Sequence, residues 1–392
     1  MKEIRALTTL RAAAALLVFL YHYEALPMLA LRQAGRTAWD PLLAVWMSGS
    51  VGVSIFFVLS GFLITRLYFD RFVGQGVSLR EYFVKRIARI WPLFLAFAGI
   101  QHVAMAATGE RPDPSWLVTT TMTQGFFLDL RYRGLPTAWS LTIEECFYAI
   151  APLVFLAIAA AGIGRGGPGA VLPRRAWGRL LATLAGLVLG LAGAGVLAML
   201  ACGRLGWTWY GFLANPEHLL HSTLAGRFPE FAIGVAAAFL HRDGWPVRVM
   251  RGARASLVAL ASFSGIGVLM AAKTSMAASS PAAWLACSLG VALLAGLLIL
   301  ALTREESRVS RLLAHPAGVY LGKVSYGFYL IQTSLLAAPL VAIAGHLGPF
   351  RMPADYVLMN LVCAGFYEWL ERPARRAIVH RFAHANLGDA AA

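Results

Sequence analysis

Ten stretches of this chain are each long and apolar enough to cross a bilayer, and nothing else in the sequence limits its fold as tightly. A bilayer core takes roughly 20 apolar residues in helical form, and only helices or closed barrels satisfy the backbone polar groups there. The runs of Leu, Ala, Val, Phe and Gly fit helices at about 8–30, 49–69, 84–106, 138–161, 180–202, 219–241, 255–273, 283–303, 318–345 and 354–372. Only 14% of the 392 residues are charged, against about a quarter in soluble domains. The expected fold class is all-α: a polytopic integral membrane helical bundle of about ten transmembrane helices. No Pro-rich or Gly-Ser linker and no internal repeat is visible, so 1–380 reads as one membrane domain and 381–392 as a short tail. The first run, LRAAAALLVFLYHY at 10–23, is too long for a signal-peptide core and holds Arg11. Further spans follow it, so it reads as a retained helix.

The basic residues orient this array. Lys2 and Arg5 precede the first span, and clusters around Arg80, Arg174, Arg248, Arg308 and Arg375 follow the even-numbered ones. In all, 21 of the 34 Lys and Arg residues fall on that side and 8 on the other. The positive-inside rule then places both termini in the cytoplasm of a cell's inner (plasma) membrane. The net charge of +15 is thereby a topology signal, not a nucleic-acid footprint. Cys146, Cys202, Cys287 and Cys363 all fall in apolar segments without CxxC or Cys/His spacing, so they read as buried thiols. There is no P-loop, GxSxG elbow, HExxH or Asp-rich pattern, which leaves nothing to suggest a nucleotide hydrolase, serine hydrolase or metalloenzyme.

Ionisable groups at membrane depth are costly and are functional candidates by default. Arg11 and His22 are eleven residues apart, which returns them to within about 20° of one helix face, roughly 16 Å apart along the axis. Either Arg11 snorkels and His22 is a satisfied core histidine, or both serve one path. Arg86 and Arg89, at i and i+3, share a face at the entrance of the third span. They are stop-transfer charges or a clamp for phosphates, which guanidinium groups bind bidentately. In WSLTIEECFY at 139–148, Glu144 and Glu145 stand at the outer entrance of the fourth span. One glutamate can complement the helix dipole while Glu144, sharing a face with Tyr148, turns inward at about the depth of His22. A carboxylate beside a histidine makes a general base. Trp139, Ser140 and Tyr148, with Ser60 of the second span, are candidate cavity-lining residues. Ser60-Gly61 also suits close helix packing. Arg227 and Glu230 of the sixth span either pair with each other or face a polar acceptor. Glu368, Glu371 and Arg372 close the tenth span and suit local ion pairs.

Several of these stretches, in order, resemble the membrane-bound acyltransferase-3 family, which includes polysaccharide O-acetyltransferases and macrolide acyltransferases. They are LRAAAALLVFLYHY, GVSIFFVLSGFLIT at 52–65, KRIARIWP at 85–92 and AWSLTIEECFY at 138–148, with weaker matches in RFPEFAIG at 227–234, LGKVSYGFYLIQ at 321–332 and EWLERP at 368–373. The resemblance implies transfer of an acyl group, usually acetyl from acetyl-CoA, to a hydroxyl of a sugar or similar acceptor. It implies that His22 is catalytic with Arg11 as its motif partner, that Arg86 and Arg89 handle the donor, and that Glu144 is the motif glutamate. Many relatives end the ninth-span motif in histidine where this chain has Gln332. Some carry a C-terminal extracytoplasmic hydrolase-like domain, which is not expected here. The chain is then expected to finish the reaction itself or to hand the acyl group to a separate partner protein.

The expected function is O-acylation of a cell-surface or exported glycan, with acyl-CoA as co-substrate and no tightly bound cofactor. Donor phosphates would meet Arg86, Arg89 and Arg11 on the cytoplasmic side. His22, oriented by Glu144, would deprotonate the acceptor hydroxyl or carry the acyl group transiently. The acceptor would enter past Trp139 and the Arg227/Glu230 region. One rival is an acyltransferase with a small cytoplasmic acceptor such as a macrolide. Another is a multi-pass transporter, for which inverted repeats would be expected and which consumes no thioester.

Overall fold

A computed structural model describes residues 3–23, 48–75, 78–164, 172–276 and 281–383. The far end of the first predicted span (24–30) and the end of the predicted tail (384–392) lie outside them. The main helices are α1 (Arg5–His22), α2 (Val51–Asp70), α3 (Leu79–Ala107), α4 (Trp139–Ala160), α5 (Arg174–Leu205), α6 (Leu224–Arg242), α7 (Ala253–Met276), α8 (Pro281–Leu302), α9 (Pro316–Ile331), α10 (Ala338–Gly345), α11 (Arg351–Phe366) and α12 (Arg372–Ala383). Among the described residues there is no β-sheet, only one isolated bridge between Phe127 and Phe212. Among the described residues seven helices are long and apolar enough to cross a bilayer, or eight if the bent α9–α10 pair is one span. The protein is an all-α polytopic membrane bundle. The first and tenth predicted spans are also helical, as α1 and α11, but these are shorter.

The chain divides into two compact units, residues 1–74, 153–196 and 224–323, and residues 75–152, 197–223 and 324–392. In the first unit, Leu7, Leu10 and Ala14 of α1, Ile55, Val58 and Phe62 of α2, and Leu298 and Ile299 of α8 belong to one buried cluster. Small residues let these helices approach. A Cβ on Gly61 of α2 would collide with the Phe231 carbonyl of α6, and one on Gly234 of α6 with the Val58 carbonyl. Gly52 stands in the same relation to Ala14 of α1. Close backbone contact through small residues is how membrane helices gain packing without a water-driven hydrophobic force. The apolar window of α2 is 78% buried and that of α5 only 6%. So α2 is a core helix, whereas α5 displays Leu181, Leu189 and Leu197 on a surface suited to lipid.

In the second unit, Ser78 caps α3 by accepting from the Glu81 N–H at 3.1 Å, the Ser-X-X-Glu arrangement of a helix start. The ninth predicted span, continuous over 318–345 by sequence, is instead broken between α9 and Leu335 with a 108° bend. Polar residues at the break satisfy the freed backbone groups. Ser334 Oγ donates to the Ile331 carbonyl at 2.9 Å, and the Leu335 N–H donates to Gln101 Oε1 of α3 at 2.9 Å. The sixth span likewise differs from its prediction of 219–241. A short helix, Pro216–Ser222, precedes α6, with extended backbone at Thr223 between them. After α11 a π-helical turn at Tyr367–Glu371 leads into α12. Pro373 lacks the N–H that a regular helix would donate to the Trp369 carbonyl, which accounts for the wider turn there.

Candidate active site

The predicted site residues fall in both units. In the second unit, Arg86 and Arg89 sit half-buried on α3. The Arg86 guanidinium lies 5.8 Å from the centre of the Tyr148 ring, within cation–π range. Tyr148 is held at two points. Its backbone carbonyl accepts from Tyr82 Oη at 2.9 Å, and its own hydroxyl donates to Glu144 Oε1. The i,i+4 spacing on α4 makes the second contact natural. A chain of contacts therefore runs from Arg86 over Tyr148 to Glu144, and the phenol fixes one carboxylate oxygen. Glu145, about 100° round the helix, turns elsewhere. Trp91 Nε1 donates to its Oε2 at 3.4 Å, and its Oε1 is buried without a hydrogen-bond partner among the described residues.

Ser140 is occupied structurally. Its Oγ lies 2.6 Å from Tyr329 Oη and donates to the Thr137 carbonyl at 3.1 Å, while Thr137 Oγ1 donates to the Tyr329 carbonyl at 2.9 Å. This buried network ties the start of α4 to α9, with Trp139 half-buried beside it. Gln332, at the position where the resemblance leads one to expect histidine, donates from Nε2 to the Tyr329 carbonyl at 3.2 Å. Its Oε1 is buried without a hydrogen-bond partner among the described residues.

A residue taken from the sequence only as topology signal joins this group. Helix α12 packs along α3 and brings Arg375 into the field of the arginine pair. Desolvation by the surrounding protein, followed by the charges of Arg89 and Arg86, lowers the Arg375 pKa from the usual guanidinium range. The three like charges repel one another, and the nearby Glu371 and Tyr367 offset part of that effect on Arg375. Only the packing of α12 could reveal this, because some 286 residues separate Arg375 from Arg89.

In the first unit, Arg11 and His22 stand on one unbroken helix, as a shared face requires. Arg11 is half-buried; His22, in the last turn of α1, is exposed, with the Tyr21 ring edge-on at 5.2 Å. Ser60 is buried next to Gly61 at the α2–α6 contact. Arg227 and Glu230 are paired deep inside, with Nε to Oε2 at 3.0 Å and side chains only 6% and 3% exposed. Arg227 also donates to Ser54 Oγ at 3.3 Å and lies 5.2 Å from the ring centres of both Phe57 and Trp284. The pair thus joins α6 to α2 and α8.

A family model described as an acyltransferase domain matches residues 4–364. The chain belongs to the acyltransferase-3 family. The acyltransferase MdmB of Streptomyces mycarofaciens is 28% identical over 378 residues, covering 89% of this chain and 83% of that protein. A Staphylococcus aureus (strain COL) protein named "Putative O-acetyltransferase" is 21% identical over 400 residues, covering 96% of this chain but 58% of its own length. No solved structure matches. This acyltransferase is a multi-pass membrane enzyme whose reaction takes an acyl donor and an acceptor. Among its described residues no group of three His, Cys, Asp or Glu is placed to hold a metal ion, and its four cysteines are free thiols.

Proposed function

We propose that this acyltransferase O-acylates a carbohydrate hydroxyl on a cell-surface or exported glycan, with acyl-CoA, normally acetyl-CoA, as the donor. The family match over residues 4–364 carries this reading. The residues add roles to it. Arg86, Arg89 and Arg375 form a cationic group suited to the phosphates of the donor, with Arg11 as a further donor-side charge. His22 is the base that takes the proton from the acceptor hydroxyl. The hydroxyl oxygen attacks the thioester carbonyl, the C–S bond breaks, and the imidazolium returns its proton to the departing thiolate, giving an ester and free CoA. Glu144, whose carboxylate Tyr148 fixes, is the glutamate of the family motif and the second catalytic residue. The buried Arg227–Glu230 pair serves the fold, and Trp139 is the aromatic contact for the acceptor. The enzyme sits in the inner membrane with both termini cytoplasmic, as its basic residues imply.

The test is to incubate the purified enzyme with labelled acetyl-CoA and either a glycan fraction or a macrolide, then follow label and thiol release. Glycan labelling with stoichiometric CoA release supports the proposal. Labelling of the macrolide alone replaces the acceptor, and no thioester consumption with either overturns the reading.

A further inference from the structure

Within the first unit, α2 and α6 flank a half-open cavity of about 240 Å³ lined by Thr65, Arg66, Phe69, Asp70, His241 and Arg242, among others. None of these belongs to the proposed acyl-transfer machinery. Arg242 Nε lies 3.1 Å from Asp70 Oδ1, and its guanidinium stands over the Phe69 and Phe239 rings at 5.8 and 5.9 Å. The His241 ring meets Phe62 edge-on at 5.7 Å. Two guanidinium groups and an imidazole thus line the cavity beside one carboxylate, which Arg242 contacts.

Cations in the last turn of α6 also complement its dipole, and that alone would explain Arg242 and His241. It does not explain Thr65. This residue is 4% exposed, lines the cavity, and its hydroxyl has no hydrogen-bond partner among the described residues. A buried hydroxyl is ordinarily satisfied. The cavity is also far larger than the roughly 15 Å³ a single water needs.

We infer that this cavity is a phosphate-binding site, in which Arg66 and Arg242 hold the anion and the Thr65 hydroxyl donates to one of its oxygens. Planar guanidinium forks bind phosphate bidentately, and His241 offers a further donor. The phosphate can belong to a soluble nucleotide or to an anionic phospholipid, since basic pockets between membrane helices take lipid headgroups. The inference does not rest on the acyl-transfer reading.

The test uses the full chain purified in uncharged detergent, with Arg86→Gln/Arg89→Gln as the background so that the proposed donor clamp is absent. One arm titrates adenosine 3′,5′-bisphosphate; the other compares nanodiscs of phosphatidylcholine with and without phosphatidylglycerol. In at least one arm the background protein should bind, and Thr65→Val should weaken binding about tenfold, the value of one charge-assisted hydrogen bond. Arg66→Gln should weaken it further. Thr65→Val is nearly isosteric, and an unchanged elution volume shows that it folds. Saturable binding in the first arm assigns a nucleotide phosphate, and in the second a lipid headgroup. The proposal falls if the background protein binds neither probe, or if Thr65→Val and Arg66→Gln leave binding unchanged. Bisphosphate binding to the parent protein that vanishes in the background, with no lipid binding, also overturns it while supporting the Arg86/Arg89 clamp.

Discussion

Arg227→Met decides whether the charges of the sixth span serve the fold or the acceptor. The substitution removes a guanidinium that contacts Glu230 at 3.0 Å, Ser54 at 3.3 Å and two rings at 5.2 Å. The hydrogen bond to Ser54 is worth about 0.6 kcal/mol by the average for membrane helices. The larger loss is the Glu230 carboxylate left buried without its cation, because breaking one partner of a buried pair costs about 3–5 kcal/mol. That is at least a hundredfold in the unfolding equilibrium, at about 1.4 kcal/mol per tenfold. Removing both charges in Arg227→Met/Glu230→Gln should recover part of this, with a coupling energy of roughly 0.5–3 kcal/mol for residues in contact. Tryptophan fluorescence during titration of mixed micelles with denaturing detergent measures both quantities. The double variant should also transfer acyl groups at near-parental rate. A single variant as stable as the parent but inactive, or a double variant no more stable than the single, would refute a structural pair.

Gly61→Ala should destabilise by about 1–3 kcal/mol, the usual range for overpacking, because its Cβ meets the Phe231 carbonyl. Gly186→Ala, on the open face of α5, should be neutral or gain about 0.5–1 kcal/mol; the same titration ranks the two. Arg375→Gln should raise the KM for acetyl-CoA about tenfold, one lost charge-assisted contact, with kcat unchanged. Arg375→Lys should restore it in part, and steady-state kinetics that showed a fall in kcat alone would remove Arg375 from donor binding.

The helices were legible because membrane spans announce themselves by length and apolarity, and Gly61 was legible as a packing residue because a small residue in such a run has few other uses. The bend after Ile331 was not. Gln332, Thr333 and Ser334 are ordinary residues in a sequence, and they permit a break only because Gln101 of another helix accepts the Leu335 N–H. Thr223 escaped notice similarly, since a single extended residue leaves the apolar run intact. At the site, spacing found the Glu144–Tyr148 contact, which is local to α4. It also raised the Arg227–Glu230 pair as one of two readings, and the burial of both side chains favours that one. Arg375 and the Thr65 cavity depend on which helices pack together, and no period or motif in this chain encodes that.

The central claim is that His22 moves the proton in acyl transfer, and the most direct measurement is acceptor-dependent CoA release by purified His22→Ala protein. The expected loss is about 10²–10⁴-fold, the range for a general base, with elution and detergent stability like those of the parent. CoA release at the parental rate by a folded His22→Ala protein would contradict it.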